Sequence, residues 1–219
     1  MNSQQSLLDV FNRLFDRFGP LHWWPAETPF EVCVGAILTQ NTSWSNVEKA
    51  IAALKQVGIM SPETLHGCDT EHLTQLIRPA GYFNVKSRRL KDFTSWLFLK
   101  HQGSLEWMFA GNWHELREEL LQVSGIGPET ADSILLYAGK KPSFVVDVYT
   151  RRLFQRLGLL PEAACYDETR DLFMNSLPED VPLFNEYHAQ IVEQSKRFCR
   201  IKPLCSGCPL DNSCPSRLI

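Results

Sequence analysis

No stretch of this chain stays apolar long enough to cross a membrane, because charged or polar residues break every run short of about 20 residues. Nothing alternates apolar and polar with a period of two for long enough to make a half-buried strand, which sets sheet-based folds aside. A fixed-period repeat and low-complexity tracts are also missing. The N-terminus, MNSQQSLLDVFNRLFDRFG, lacks a basic region followed by an apolar stretch and a small-residue cleavage site. An intracellular, cytoplasmic protein without a membrane partner is therefore expected. Positive charge is not in surplus either, the formal net charge being −3. That argues mildly against a nucleic-acid binder, although affinity follows local charge rather than the total. Basic residues gather at 86–91, 140–141, 151–156 and 196–202, and acidic ones at 115–119 and 162–180, a pattern compatible with one basic face.

What remains is a helical pattern. The chain has 219 residues, 44% of them hydrophobic, enough for one large or two small domains with a substantial core. Leu7, Leu8, Phe11, Leu14, Phe15 and Phe18 share one face of a first helix. Thr28-Pro29 starts a second, strongly apolar helix over 30–38, and Ser43 opens another over 44–57. Shorter helices follow from Ser61 and Thr70. After the break at Pro79 and Gly81, Asn84 is placed to cap a long helix running to about Lys100. Helices over 166–177 and 183–198 complete an all-α expectation.

The densest signal lies between Leu120 and Arg152. A helix over 113–122 ends at Ser124-Gly125-Ile126-Gly127, where two glycines permit positive φ or close approach of a ligand. Pro128 suits the first position of the next helix. Backbone N–H groups fanned at such a terminus can seat a phosphate oxygen, and a tight hairpin that binds nothing is the plain alternative. Phe144-Val145-Val146 reads as a short buried run, and Asp147 directly precedes a helix over 148–158. An aspartate there is usually an N-cap, and a capping carboxylate stays ionised.

With Gly125-Ile126-Gly127 and Val146-Asp147 in this order, the sequence resembles the helix-hairpin-helix glycosylases of base-excision repair, the endonuclease III group. The resemblance implies a six-helix barrel domain over 27–140 carrying the hairpin at 113–138. A second, discontinuous domain would comprise 1–26 and 141–219. It implies a monomer acting on double-stranded DNA with a damaged base or abasic site. Gly125, Ile126 and Gly127 would anchor the DNA backbone and Asp147 would serve cleavage of the N-glycosidic bond. Gln40, otherwise a polar helix-end residue, stands where these proteins fill the gap left by an extruded base. Tyr82, Phe83, Asn84 and Lys86 match a turn that presents a large residue, an aromatic, Asn and Lys. Tyr82 would be the wedge, Asn84 and Lys86 DNA contacts, and Phe83 core.

Of seven cysteines, four crowd the C-terminus as Cys199, Cys205, Cys208 and Cys214, spaced C-x5-C-x2-C-x5-C. Cys33, Cys68 and Cys165 are isolated and read as ordinary buried thiols. Four converging thiolates imply a metal centre, zinc or [4Fe–4S] on spacing alone. The resemblance implies the [4Fe–4S] cluster, in a structural role, although the first spacer of that group is commonly six residues and here it is five.

One departure is informative. Where bifunctional members of the group carry a lysine that forms a Schiff base, this chain has Glu129. Lys140 and Lys141 lie about three helical turns further on. A monofunctional glycosylase is the expectation. Alternatives are a bifunctional glycosylase and lyase for oxidised pyrimidines, or a non-catalytic DNA-binding hairpin module. Trp23-Trp24-Pro25, Leu38–Thr42 with Trp44, Arg78–Asn84 and Gly125–Asp132 are similar to the 3-methyladenine DNA glycosylase III type. That resemblance implies a pocket of Trp24, Pro25 and Trp44, with Glu129 beside it, for an alkylated purine; a cationic base stacks well on electron-rich rings. That type has a lysine near the Glu129 position and typically lacks the iron–sulfur loop.

Overall fold

The computed structural model describes residues 3–217, and among them every regular element is helical. In chain order the helices are α1 (Ser3–Phe18), α2 (Pro29–Leu38), α3 (Trp44–Gln56), α4 (Pro62–Gly67), α5 (Thr70–Leu76) and α6 (Phe83–His101). Then come α7 (Leu105–Ala110), α8 (Trp113–Gln122), α9 (Pro128–Ser133), α10 (Val148–Arg156), α11 (Tyr166–Ser176) and α12 (Val181–Arg197). None is long and apolar enough to cross a membrane. The chain forms two compact units, Ala26–Lys141 and the combination of Met1–Pro25 with Pro142–Ile219.

In the first unit α2 lies at the centre, with every residue from Phe30 to Leu38 buried. Its start is set locally: Thr28 is extended, its hydroxyl accepts from Glu31 N–H at 3.2 Å, and Pro29 takes the first turn. Glu31 is only 5% exposed, and Lys55 from α3 meets its carboxylate at 2.7 Å. Helices α3, α6 and α9 pack around α2, as does the π-helical turn Ile134–Ala138 that continues α9. Helix α7 had no counterpart in the sequence reading; Ser104 caps it by accepting from Trp107 N–H at 3.1 Å. Asn84 does not cap α6. Tyr82, left-handed at φ 45°, holds that position and makes no side-chain cap bond. A 3₁₀ turn at Arg78–Ala80 and Gly81 at φ 70° bring the chain round two residues earlier than expected.

The second unit packs α1, α10, α11 and α12 around an aromatic core. Phe144 stacks on Phe173 at 3.9 Å between ring centroids, and Phe154, Phe184 and Tyr187 close around the pair edge-on. The Tyr187 hydroxyl is buried and donates to the Leu7 carbonyl of α1 at 2.7 Å. On α1 the buried stripe is Leu7, Val10 and Leu14, whereas Phe15, expected on that face, is 37% exposed. Cys33 is buried, but Cys165 is exposed and caps α11, so it is not the buried thiol expected.

Candidate functional site

The hairpin is assembled from α8 and α9 by a buried ion pair. Arg117 of α8 donates from Nε to Asp132 Oδ1 at 2.8 Å and from a terminal nitrogen to Oδ2 at 3.1 Å. The Asp132 side chain has no exposure at all. A bidentate pair of this kind fixes both the spacing and the rotation of two helices. Asp132→Ala is expected to destabilise the protein by about 3–5 kcal/mol in denaturant unfolding, since it strands a mostly buried guanidinium.

The two hairpin glycines are there for different reasons. Gly125 sits at φ 82°, and a Cβ there would collide with the Arg89 side chain, so the fold itself requires glycine. Gly127 has φ −92°, and a Cβ would meet nothing within 4 Å. No internal constraint demands glycine at 127. The residue is exposed, and its N–H has no acceptor among the described residues, which leaves room for an outside group to approach the backbone. Ile126, expected to touch DNA, does not present itself: it is 4% exposed and its N–H goes to the Val123 carbonyl at 3.0 Å.

Gln40 is tied into the same structure. Its amide donates to the Gly125 carbonyl at 3.0 Å and to Thr130 Oγ1 at 2.8 Å, while Arg89 donates to its Oε1. In this state the side chain holds the hairpin. Lys86, expected as a DNA contact, is a correction: it is 1% exposed, and its ammonium donates to the carbonyls of Leu38 and Ala80, each at 2.8 Å. Burial, reinforced by the nearby Arg89 charge, pushes its pKa down to about 8. Its work is to satisfy the last carbonyl of α2 and the last carbonyl of the 3₁₀ turn before α6. Tyr82 behaves differently and stands 70% exposed on its left-handed turn, beside an exposed Asn84. Trp44 is half-buried at the start of α3, and Glu129 is exposed in the first turn of α9.

In the second unit Trp23 and Trp24 lie in the irregular segment after α1, both half-buried and edge-on to each other, with Pro25 exposed. Lys196 covers the Trp23 ring at 5.7 Å. Asp147 is the N-cap of α10, and both of its carboxylate oxygens are engaged. Oδ1 accepts from Thr150 N at 2.8 Å and from Thr150 Oγ1 at 3.0 Å, while Oδ2 faces His188 Nε2 of α12 at 3.4 Å. Burial works to raise the Asp147 pKa; the neighbouring His188, with the Thr150 bonds, outweighs it and holds the carboxyl below its usual value. The group is therefore ionised at neutral pH while its side chain is only 11% exposed. His188 was missed from sequence. The available signal was a histidine inside the buried stripe Phe184, Tyr187, Ile191 of α12, where an apolar residue belongs.

All four C-terminal cysteines line one cavity, walled also by Leu153, Phe198 and Leu210. Gln194 donates to Cys208 Sγ at 3.0 Å and Arg156 to Cys199 Sγ at 3.2 Å. Among the described residues no three His, Cys, Asp or Glu side chains are gathered tightly enough to hold a single metal ion. The loop also grips α10. Arg152 Nε donates to the Cys199 carbonyl at 2.8 Å, and Arg156 donates to the carbonyls of Arg200 and Ile201 at 2.6 and 3.0 Å.

The profile of the HhH-GPD superfamily base excision DNA repair proteins matches residues 34–179 of this chain. A Methanocaldococcus jannaschii protein provisionally named a DNA repair glycosylase is 47% identical over 218 residues, 99% of each chain. Endonuclease III of Thermotoga maritima is 32% identical over 187 residues, covering 85% of this chain and 82% of its own. The structure of H. pylori 3-methyladenine DNA glycosylase bound to 1,N6-ethenoadenine superposes with a TM-score of 0.75 at 30% identity. That match covers 90% of this chain and 98% of the other.

Proposed function

The chain belongs to the HhH-GPD superfamily of base excision repair DNA glycosylases, and from that premise we propose that it is a monofunctional glycosylase for alkylated purines. It acts as a monomer, inside the cell, on double-stranded DNA with the damaged base everted from the stack. The carrying observation is Asp147: a carboxylate held through Oδ1 by Thr150, with His188 beside Oδ2, and kept ionised at a helix N-terminus. Negative charge fixed beside a deoxyribose stabilises the oxocarbenium-like sugar as the base departs, and it orients or deprotonates the water that takes the sugar. Glu129 supports the monofunctional reading, since a carboxylate cannot form an imine. The likeness to a 3-methyladenine glycosylase at 30% identity supports an alkylated purine as the base released. A cationic alkylated base is already a good leaving group, so the carboxylate has only to steady the developing sugar cation.

We further propose that Cys199, Cys205, Cys208 and Cys214 hold a [4Fe–4S] cluster. The donor set fits, with one thiol for each iron, a shared cavity with apolar walls, and hydrogen bonds onto two of the sulfurs. Bound there, the cluster would supply a cross-link between the C-terminal loop and α12, with no open coordination position. The protein's own contribution is the arginine grip on α10, the helix that Asp147 begins.

The endonuclease III-like reading, a lyase on oxidised pyrimidines, is separated by a single assay. Duplexes carrying methylated purine, oxidised pyrimidine or uracil are incubated with the protein, and half of each sample is treated with hot alkali. Base release from the methylated duplex with strand cuts only after alkali is expected. Cuts without alkali, together with borohydride trapping of protein on DNA, would reject the monofunctional mechanism.

A further inference from the structure

Asp147 touches two groups, and one of them lies in no part of the local cap. Thr150 belongs to the capping box that starts α10 and would be satisfied by any N-cap aspartate. His188 comes from α12, forty-one residues on, and reaches the other carboxylate oxygen. It is 5% exposed, in a stripe where Phe184, Tyr187 and Ile191 are fully buried. An imidazole placed there costs desolvation that an apolar side chain would avoid, so packing alone does not account for it. From the Asp147–His188 geometry we infer that His188 is a positioning residue for the glycosylase reaction, holding Asp147 charged and its Oδ2 edge fixed. The inference rests on the catalytic reading of Asp147 given above.

The physical argument is about rotation and charge. With Oδ1 held by two bonds from Thr150, the carboxylate can still swing about its Cα–Cβ and Cβ–Cγ bonds, and the buried His188 ring packed 3.4 Å from Oδ2 restricts that freedom. Burial at the same place opposes ionisation, and a donor from α12 offsets it. The remaining polar groups nearby are engaged elsewhere. The Tyr166 hydroxyl of α11 stands at Val146 N, 3.4 Å away, one residue before the carboxylate. On α10 itself, the Arg152 guanidinium is turned to the Cys199 carbonyl and the Tyr149 ring. Among the described residues His188 is the only ionisable side chain in ion-pair or hydrogen-bond contact with Asp147.

Two substitutions separate positioning from packing. His188→Leu keeps a comparable volume and removes the imidazole N–H; His188→Gln keeps an N–H donor on a side chain that cannot ionise. Each is compared with wild type by single-turnover base release from methylated duplex DNA across acid to neutral pH, and by carboxyl NMR titration of Asp147 without DNA. In wild type the acid limb lies low, because a carboxyl with a depressed pKa stays ionised as pH falls. His188→Leu is expected to lower the plateau rate by about tenfold or more and to move the limb and the Asp147 titration upward. His188→Gln should recover most of the plateau while its limb stays above that of wild type. An Asp147 titration that does not move in either variant overturns the inference, and so do equal losses of rate in both. Asp147→Asn serves as the reference: wild-type turnover in that variant would sink the catalytic reading, whereas the titrations would still report on the pair. If His188→Leu does not fold, the His188→Gln titration decides, since an unmoved value there again overturns the inference.

Discussion

Asp147→Asn is expected to reduce single-turnover base release by about 10³-fold while duplex binding stays close to that of wild type. The size follows from what is lost. A fixed charge opposite a developing sugar cation, or a base that takes a proton from water, accounts for roughly 10²–10⁴ in rate. Asparagine is nearly isosteric and is itself a good N-cap, so its oxygen can still accept from Thr150 and α10 should start where it does now. Folding is thus separated from chemistry, and thermal unfolding should show little change. A purely DNA-binding hairpin module predicts the opposite, with no activity to lose. Activity within a few-fold of wild type would remove the carboxylate from the mechanism.

Cys208→Ser should have the second largest effect, and chiefly on the protein's integrity. Cofactor binding free energy is folding free energy when the site does not exist in the unfolded chain. Loss of the brown visible absorbance and a stability loss above about 5 kcal/mol are expected, more than a single core truncation usually costs. Base release should fall as well, because the loop that Arg152 and Arg156 hold onto is the brace of α10. A colourless wild-type protein containing zinc would reject the cluster. A brown Cys208→Ser protein of wild-type stability would reject this residue as a ligand.

Several features were legible because they are written in neighbouring residues. Thr28-Pro29, Ser61-Pro62 and Ser124-Gly125-Ile126-Gly127-Pro128 mark helix boundaries through capping oxygens, preset φ and missing N–H groups, all effects within one turn. Helices α2, α4 and α9 consequently begin where the sequence places them, at Pro29, Pro62 and Pro128. Asn84 was misjudged because Tyr82 adopts a left-handed conformation unusual for a bulky residue, and propensity gives no warning of it. Lys86 was misjudged for another reason. A lysine near such a turn reads as a DNA contact, yet the carbonyls that accept its hydrogen bonds belong to residues 38 and 80, and only folding brings Leu38 beside it.

The sequence alone settled the all-helical class, the hairpin, the four-cysteine loop and the absence of a Schiff-base lysine at position 129, since each depends on residue type at short spacing. Tertiary structure decided how Gln40, held by Arg89, locks onto Gly125, how Lys86 closes α2, and that His188 answers Asp147. These pairings join residues far apart in the chain, where periodicity and capping carry no information. Their geometry is fixed only when buried polar groups must find partners inside a packed core.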